Sequence, residues 1–249
     1  MTCSRAYALS SLCALSLLTA AGVAQAPASA APHYTPASAA PHYTPSPATA
    51  HATPAQPAGF EVLLDAFSRM PGLEAGFVEE KHLALLAEPL ESRGRLFFAR
   101  PGLLLRRVEA PRRSEVVITQ TELRMSDADG EQSIDLRSRP DVRPFVESLT
   151  WLLAGNRKAL AEVYAVAFEP AREAKPWRVT LTPKAGPIAR LIQYIRMVGN
   201  GLAVSQIEVR ETSGDETVTR IVDANPARHF SADEMKQLFG SPHARGGHP

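Results

Sequence analysis

The stretch that decides the fold is GRLFFARPG, residues 94–102. In a β-strand, residues two apart share a face, so Leu96 and Phe98 point the same way. Arg100 follows them onto that face, and Pro101 ends the strand. An arginine among apolar side chains needs acceptors, because a buried guanidinium without partners is costly. The spacing predicts an inward-facing Arg100; a solvated position at the strand's exposed end is the alternative.

Helical periods occur on both sides of this strand. Upstream, apolar residues at i, i+3, i+4 and i+7 predict an amphipathic helix closed by Pro71 and Gly72; they are Phe60, Leu63, Leu64 and Phe67. Downstream, a second helical stretch covers residues 142–161, with a possible break at Gly155-Asn156. A short helix over residues 230–239 is predicted from Ser231 as N-cap and Glu234 at the capping-box position.

Two-residue alternation fills most of the chain between these helices. Besides residues 94–102, it marks 116–118, 123–125 and a hairpin at Asp129-Gly130 that leads into Ile134 and Leu136. After the second helix, strands are predicted at residues 163–168, 177–182, 193–198, 202–212 and 217–223. Helices inserted among many antiparallel strands indicate an α+β fold in which a curved sheet wraps around helices.

Composition excludes several classes of protein. The 249 residues carry 27 Lys and Arg against 26 Asp and Glu, and a near-neutral chain is a poor nucleic-acid binder. After the first two dozen residues, no apolar run reaches the ~18 to 20 residues that cross a bilayer. The two cysteines, Cys3 and Cys13, both lie at the N-terminus, so the rest of the chain has no thiol for a disulfide, nucleophile or zinc site.

The N-terminal residues predict export. Arg5 and the apolar run over residues 6–21 have the layout of a secretory signal, and we expect residues 1–30 to be removed by cleavage after Ala30. An uncleaved membrane anchor is the alternative. Without Arg5 the charges balance at 26 each. We therefore expect a periplasmic, formally neutral and monomeric mature protein.

Residues 31–58 predict a disordered linker. The segment is rich in Pro, Ala, Ser, Thr, His and Tyr and carries no charge, and it includes the second copy of a repeated ASAAPHYTP. A metal site made by His33, His42 and His51 is an alternative to a plain tether. The folded domain is then predicted over residues 59–240, followed by a disordered tail at 241–249.

Catalytic and cofactor motifs are absent from the sequence. It contains no G-x-S-x-G, P-loop, H-E-x-x-H or G-x-G-x-x-G pattern. The acidic string at residues 127–131 suggests a hairpin turn more than a calcium loop, because later ligands are missing. Glu79 and Glu80 would point to opposite faces of a strand, which suits acid–base catalysis poorly. We expect no enzymatic activity, no cofactor and no metal site in the domain.

Several strings together resemble the periplasmic lipoprotein carrier family LolA and its LolA-like relatives. The stretch at 94–102 is similar to the family's Gly-x-Leu-x-x-x-Arg-Pro strand and turn, and Phe77-Val78-Glu79 to its Phe-x-Gln. Ala110-Pro111 and the Leu-Thr-Pro-Lys at residues 181–184 follow in the family's order. The resemblance covers residues 59–225.

The resemblance implies an incomplete antiparallel β-barrel whose concave apolar face is lidded by helices and carries lipoprotein acyl chains. It also implies that Arg100 latches the lid by hydrogen bonds. An inner-membrane lipid or lipoprotein exporter and an outer-membrane acceptor would be its partners. The residues that we expect to bind acyl chains are Phe77, Leu96, Phe98, Leu104, Met125, Phe145, Leu149, Leu152, Leu181, Ile195 and Met197.

Departures from the family pattern leave the cargo open. Glu79 stands where the family has Gln, while Arg106 and Arg124 stand where relatives have tryptophan. The predicted C-terminal helix replaces the family's last strands. These features are closer to a LolA-like branch found beside lipid-biosynthesis genes, so a non-lipoprotein lipid from such a cluster is an alternative cargo. Two further hypotheses are a module that docks an envelope protein through a sheet edge or residues 103–107, and a hydrolase on the same scaffold.

Overall fold

The computed structural model describes residues 59–139, 143–172 and 175–240. The side chains of Pro144 and Phe145 lie outside the described residues, as do the predicted signal peptide, linker and tail. Five helices lie along the described chain: α1 (Phe60–Ser68), α2 (Arg143–Ala154), α3 (Arg157–Val163), α4 (Gly186–Ala189) and α5 (Ala232–Phe239). None of the helices within these residues is long and apolar enough to span a membrane.

The described strands form one antiparallel sheet of eleven members. They are β1 (Gly72–His82), β2 (Leu90–Ala99), β3 (Leu103–Ala110), β4 (Ser114–Ile118), β5 (Glu122–Asp127), β6 (Gly130–Asp135), β7 (Tyr164–Glu169), β8 (Trp177–Pro183), β9 (Ile192–Asn200), β10 (Ala203–Glu211) and β11 (Glu216–Asn225). The predicted α+β class and the curved, unclosed antiparallel sheet are confirmed.

Two meanders are joined at the centre of this sheet. The strand order is β6-β5-β4-β3-β2-β1-β11-β10-β9-β8-β7, so the first strand pairs with the last and the edges are β6 and β7. In a meander each strand pairs with its sequence neighbour, and only the β1–β11 pairing is long-range. The helices α2 and α3 connect the two meanders between β6 and β7.

The break predicted in the second helical stretch is a glycine turn that brings helices together. Gly155 separates α2 from α3 with φ +72°, a left-handed conformation that favours glycine. A Cβ on Gly155 would lie 2.6 Å from the carbonyl oxygen of Leu64 and 2.7 Å from Cβ of Ser68. The turn therefore packs directly against α1, and a side chain at position 155 would push the α2–α3 turn away from α1.

Most predicted elements are confirmed with shifts of one or two residues. Asp129 lies in the β5–β6 turn, where its backbone N–H donates to Asp127 Oδ1 at 2.8 Å, so the acidic string is a hairpin turn. Leu136 differs from prediction: it begins a 3₁₀ turn, because the chain leaves the sheet after Asp135, whose carboxylate accepts from the backbone N–H of Arg137. Leu136 is nevertheless fully buried.

Each face of the sheet has its own apolar core. The larger core lies on the concave face, where α1, α2 and α3 pack on both meanders around Phe67 and Trp177. The smaller core lies on the opposite face, where α5 covers β2, β3 and β4 through Phe239 against Phe97 and Leu105. Alternate residues of β2 and β3 therefore enter different cores, which explains why four consecutive residues from Leu96 to Ala99 are buried.

Candidate functional site

The helix-covered part of the concave face contains a small apolar cavity between α2 and strands β8 to β10. It has a volume of about 30 Å³, close to that of a single water molecule. Its lining residues are Ser148, Leu149, Leu181, Ile195, Met197, Ile207 and Val209. Drug-sized ligands occupy pockets of roughly 300 to 1,000 Å³. The cavity is therefore closed to an acyl chain unless α2 moves away from the sheet.

Four of the predicted acyl-binding residues meet at this cavity: Leu149, Leu181, Ile195 and Met197. Four others, Leu96, Phe98, Leu104 and Leu152, belong to the same concave core without lining the cavity. Met125 is half-buried and packs at the edge of that core. Ile207 and Val209 were missed by the sequence argument, although both alternate inward along the predicted strand at residues 202–212.

Tyr164 and Ser148 supply a polar contact beside the cavity. Their hydroxyl groups form a hydrogen bond, and both residues are buried. Burial raises the pKa of the Tyr164 phenol to about 12, so it stays neutral at ordinary pH. This bond joins α2 to β7. It must break or move if α2 lifts from the sheet.

Arg100 lies at the end of β2 and reaches α1. Its Nε donates to the carbonyl oxygen of Met70 at 2.6 Å and its Nη2 to that of Phe67 at 2.7 Å. These carbonyls lie at and just beyond the C-terminal end of α1, where helical partners are missing and a positive charge is favoured. The guanidinium thus faces the helices, as the strand-face argument predicts, and is not a solvated strand end.

The other part of the concave face is polar, and the described helices α1, α2 and α3 pack instead on the apolar part. Arg106 Nη2 donates to Glu79 Oε1 at 2.7 Å, and both side chains are about 95% buried, with 4% and 5% exposed. Glu79 also accepts from Thr219 Oγ1 at 2.9 Å and Ser92 Oγ at 3.4 Å. The guanidinium of Arg106 lies 4.5 Å from the ring centroid of Phe77.

This ion pair bears on two expectations. Phe77, predicted to bind acyl chains, is fully buried beneath Arg106 and does not line the apolar cavity. The arginine-rich strand at residues 103–107, considered beside a sheet edge as a docking surface, belongs to β3, which pairs with β2 and β4 on its two sides. Its Arg106 is buried and unavailable to a partner. In the sequence, Glu79 and Arg106 both depart from the pattern of the resemblance. Their opposite charges were the signal that could have predicted the ion pair.

Further polar groups continue this part of the sheet. Lys81 Nζ lies 3.9 Å from Glu211 Oε1, with 5% and 10% of the side chains exposed. Two hydroxyl oxygens, Ser114 Oγ and Thr217 Oγ1, are buried without a hydrogen-bond partner among the described residues. Buried hydroxyls are usually satisfied. The concave face therefore changes from apolar beneath the helices to charged and hydroxylated at its uncovered end.

A pocket of about 660 Å³ opens at this uncovered end. It lies between β1, β2, the β3–β4 turn and β5, and its lining residues are Glu79, Lys81, Glu88, Pro89, Leu90, Glu91, Ser92, Pro111, Arg112, Arg113, Ser114 and Asp127. Sequence reasoning missed this pocket, because its walls come from three separate connections of the chain. The described residues contain no group of three or more His, Cys, Asp or Glu side chains suited to a metal.

Arg124 holds the C-terminal helix on the opposite face. Its Nη2 donates to the carbonyl oxygens of Phe239 at 3.1 Å and Gly240 at 3.0 Å. The predicted capping box is confirmed at the other end of α5, where Glu234 N donates to Ser231 Oγ at 3.2 Å and Ser231 N to Glu234 at 2.8 Å. Arg124 therefore joins β5 to the C-terminal end of α5.

Comparison with known families assigns the chain. The family described as outer membrane lipoprotein carrier protein LolA-like matches residues 52–238, and the chain belongs to this family. No curated protein matches the chain. The resemblance to LolA-like proteins in the sequence is thereby confirmed over nearly the whole described domain.

Three solved structures show how this chain compares in space. A LolA superfamily protein from Nitrosomonas europaea is 10% identical, with a TM-score of 0.41 over 73% of this chain and 97% of that one. An outer membrane lipoprotein-sorting protein domain from Vibrio parahaemolyticus is 10% identical, with a TM-score of 0.42 over 73% of this chain and 97% of that domain. The complex of MucA with MucB from Pseudomonas aeruginosa is 12% identical, with a TM-score of 0.43 over 71% of this chain and 60% of that one. At such TM-scores these similarities carry no argument about function.

Proposed function

We propose that this protein is a periplasmic carrier that shields the acyl chains of a lipoprotein or related lipid between the inner and outer membranes. The observation that carries the proposal is the apolar cavity beneath α2, on the concave face of an open antiparallel sheet. Membership in the LolA-like family supports it. An inner-membrane exporter would deliver the cargo and an outer-membrane acceptor would receive it.

Loading requires the cavity to grow. The cavity measures about 30 Å³, far less than the volume of an acyl chain. An acyl chain enters when α2 separates from β8, β9 and β10, which exchanges helix–sheet contacts for contacts with cargo. Because both states bury the same apolar strands, the free-energy difference between them is small and binding is reversible.

Arg100 would act on this equilibrium through α1. Its two hydrogen bonds fix the C-terminal end of α1, and α1 packs against the Gly155 turn that ends α2. The arginine that acts as a latch in the family is thus connected to the cavity-covering helix through one intermediate helix. Releasing α1 would allow α2 and its turn to move outward together.

Filling the cavity tests the proposal. We expect Val209→Phe to lower the affinity for a fluorescent long-chain fatty acid at least tenfold, because the added ring occupies the space that opens beneath α2. Overpacking costs about 1 to 3 kcal/mol, so thermal unfolding is measured alongside. Val222→Phe on β11 is the matched control, since Val222 is 42% exposed. Equal affinity in a folded Val209→Phe protein would contradict the proposed site.

Native mass spectrometry of protein purified from the periplasm separates the carrier from a protein-docking module. A carrier retains an acyl-bearing molecule, whose mass also distinguishes a lipoprotein from another lipid. A protein that carries no lipid and binds no fatty-acid probe would favour the docking module and overturn the proposed function.

A further inference from the structure

The 660 Å³ pocket at the uncovered end of the concave face has opposed charged walls. One wall is the start of β2 and the residues before it, with Glu88 and Glu91. The opposite wall is the β3–β4 turn, with Arg112 and Arg113, next to Asp127 at the end of β5, which lies opposite Ser114. Arg112 is paired with Asp129 at 3.3 Å. No ion pair spans the pocket from one wall to the other among the described residues, so charges of both signs face the same space.

The floor of the pocket provides buried hydrogen-bonding groups. Ser114 is 7% exposed, and its Oγ has no hydrogen-bond partner among the described residues. Lys81, with 5% of its side chain exposed, adds a positive charge beside Glu211. Native structures rarely leave a buried hydroxyl unsatisfied, and a ligand or water that completes its hydrogen bonds is the ordinary explanation. The floor is therefore a polar site within a pocket of ligand size.

Strand register connects this pocket with the apolar cavity. Four residues of neighbouring strands β1, β11, β10 and β9 form one row on the same face of the sheet. In order across the strands they are Lys81, Thr217, Val209 and Ile195. Directly opposed residues share a face, and neighbouring strands are about 4.8 Å apart, so three steps span about 14 Å. Lys81 lines the polar pocket and Ile195 the apolar cavity. With the helix layer open, a single amphiphile would span this distance with its two ends in different environments.

We infer that the polar pocket binds the head group of the cargo, and that this head group carries both a phosphate and a primary amine, as phosphoethanolamine does. The phosphate lies towards Arg113, Lys81 and the Ser114 hydroxyl. The ammonium lies towards Glu88 and Glu91. This inference rests on the proposed function, because the acyl tail of the same molecule occupies the cavity beneath α2.

Head-group selectivity tests the inference. The probes are lysophosphatidylethanolamine, lysophosphatidylglycerol and a fatty acid of equal chain length, each below its micelle concentration, and free phosphoethanolamine. We expect the intact protein to prefer the ethanolamine lipid over the glycerol lipid by about two- to thirtyfold, which is the range for two exposed charge contacts. The double variant Glu88→Gln/Glu91→Gln should lose this preference and keep its affinity for the fatty acid.

Matched variants outside the pocket serve as controls. Glu109→Gln on β3 and Arg93→Gln on β2 each remove an exposed charge close to the pocket. Neither side chain lines the pocket, so both variants should keep the preference for the ethanolamine lipid. Arg113→Gln should weaken both phospholipids together, since it acts on the phosphate. Ser114→Val, which removes the buried hydroxyl, should do the same.

The outcomes distinguish this inference from the proposed function. Equal affinities for the two phospholipids in the intact protein would overturn the head-group site and leave the acyl carrier standing. Failure of all acyl-bearing probes to bind would overturn both. Free phosphoethanolamine binding as tightly as its lysolipid would show a site for a small soluble metabolite and contradict a lipid head-group site.

Discussion

Glu79 and Arg106 show how two substitutions relative to a family pattern can form one interaction. By the resemblance in the sequence, this carboxylate and guanidinium stand where the family has an amide and an indole, and both are buried on the concave face. Taking two charges out of water is costly, and their mutual attraction with extra hydrogen bonds offsets that cost. Thr219 and Ser92 supply the extra hydrogen bonds here. Each charge is therefore tolerated only in the presence of the other.

We expect Arg106→Leu alone to destabilise the domain by about 3 to 5 kcal/mol, because it leaves the Glu79 charge buried and uncompensated. The double variant Arg106→Leu/Glu79→Gln should recover most of this loss, since the amide keeps its hydrogen bonds to neighbouring hydroxyls. Urea denaturation of both variants and of Glu79→Gln measures the coupling energy. If the double variant is as unstable as the two single changes added together, the pair is not coupled and the explanation is wrong.

The helix α5 forms the added C-terminal element and has two kinds of attachment. Its apolar side packs Phe239 into the second core, next to Phe97 and Phe230. Its ends are fixed by the Ser231–Glu234 capping box and by Arg124 at the C-terminal carbonyls. A positive charge at this end also complements the helix dipole. Arg124 is thus a structural residue of the docked helix.

Arg124→Gln should release the end of α5 without unfolding the sheet. Loss of hydrogen bonds from a charged group corresponds to about 1.5 to 3 kcal/mol, so amide exchange along α5 should accelerate about 10- to 150-fold. Hydrogen exchange at Trp177, in the other core, should remain unchanged. Arg112→Gln is the control, because Arg112 is exposed and pairs only with Asp129 at a hairpin. Unchanged exchange along α5 would show that apolar packing alone docks the helix.

The whole molecule combines one open sheet with helices that close half of its concave face. The strands β6 and β7 remain edges, and the helices α1 and α2 cover the apolar part of the concave face. In the polar half, the buried charges of Glu79 and Arg106 are paired within the sheet. Under the proposed carrier function, the conformational change for cargo would take place in this helix layer.

Arg100→Leu is expected to shift the whole molecule towards the open form. Removing two charged hydrogen bonds alters the equilibrium by about 1.5 to 3 kcal/mol, so the variant should bind a fluorescent fatty acid at least as well and release it about 10- to 150-fold more slowly. Stopped-flow release and equilibrium binding measure both quantities.

Arg69→Leu is the matched control, because Arg69 also adjoins α1 but its side chain is 70% exposed and pairs only with Asp65. Arg106 and Arg124 are unsuitable controls, since both are buried in contacts of their own. A folded Arg100→Leu protein that matches the intact protein in affinity and release would show that the hydrogen bonds to α1 have no part in opening.

The sequence by itself determined the local elements and the side of the sheet that Arg100 faces. Periods of two and 3.6 residues, the Gly155-Asn156 break and the Ser231 capping box are local signals, since each depends on residues a few positions apart. They predicted α1, the interrupted α2–α3 stretch and most strands to within one or two residues. Family strings along the chain then predicted the curved sheet with its helical lid.

Only the tertiary structure decided which of those residues meet. Glu79 and Arg106 are 27 positions apart, and Arg124 and Phe239 are 115 apart, so no local period could pair them. The same holds for the division of the concave face into an apolar cavity and a polar pocket. That division depends on the register of β1, β11, β10 and β9, which places Lys81 and Ile195 in one row. Long-range pairing brings such residues together because it follows from the packing of the whole sheet, and not from any one segment.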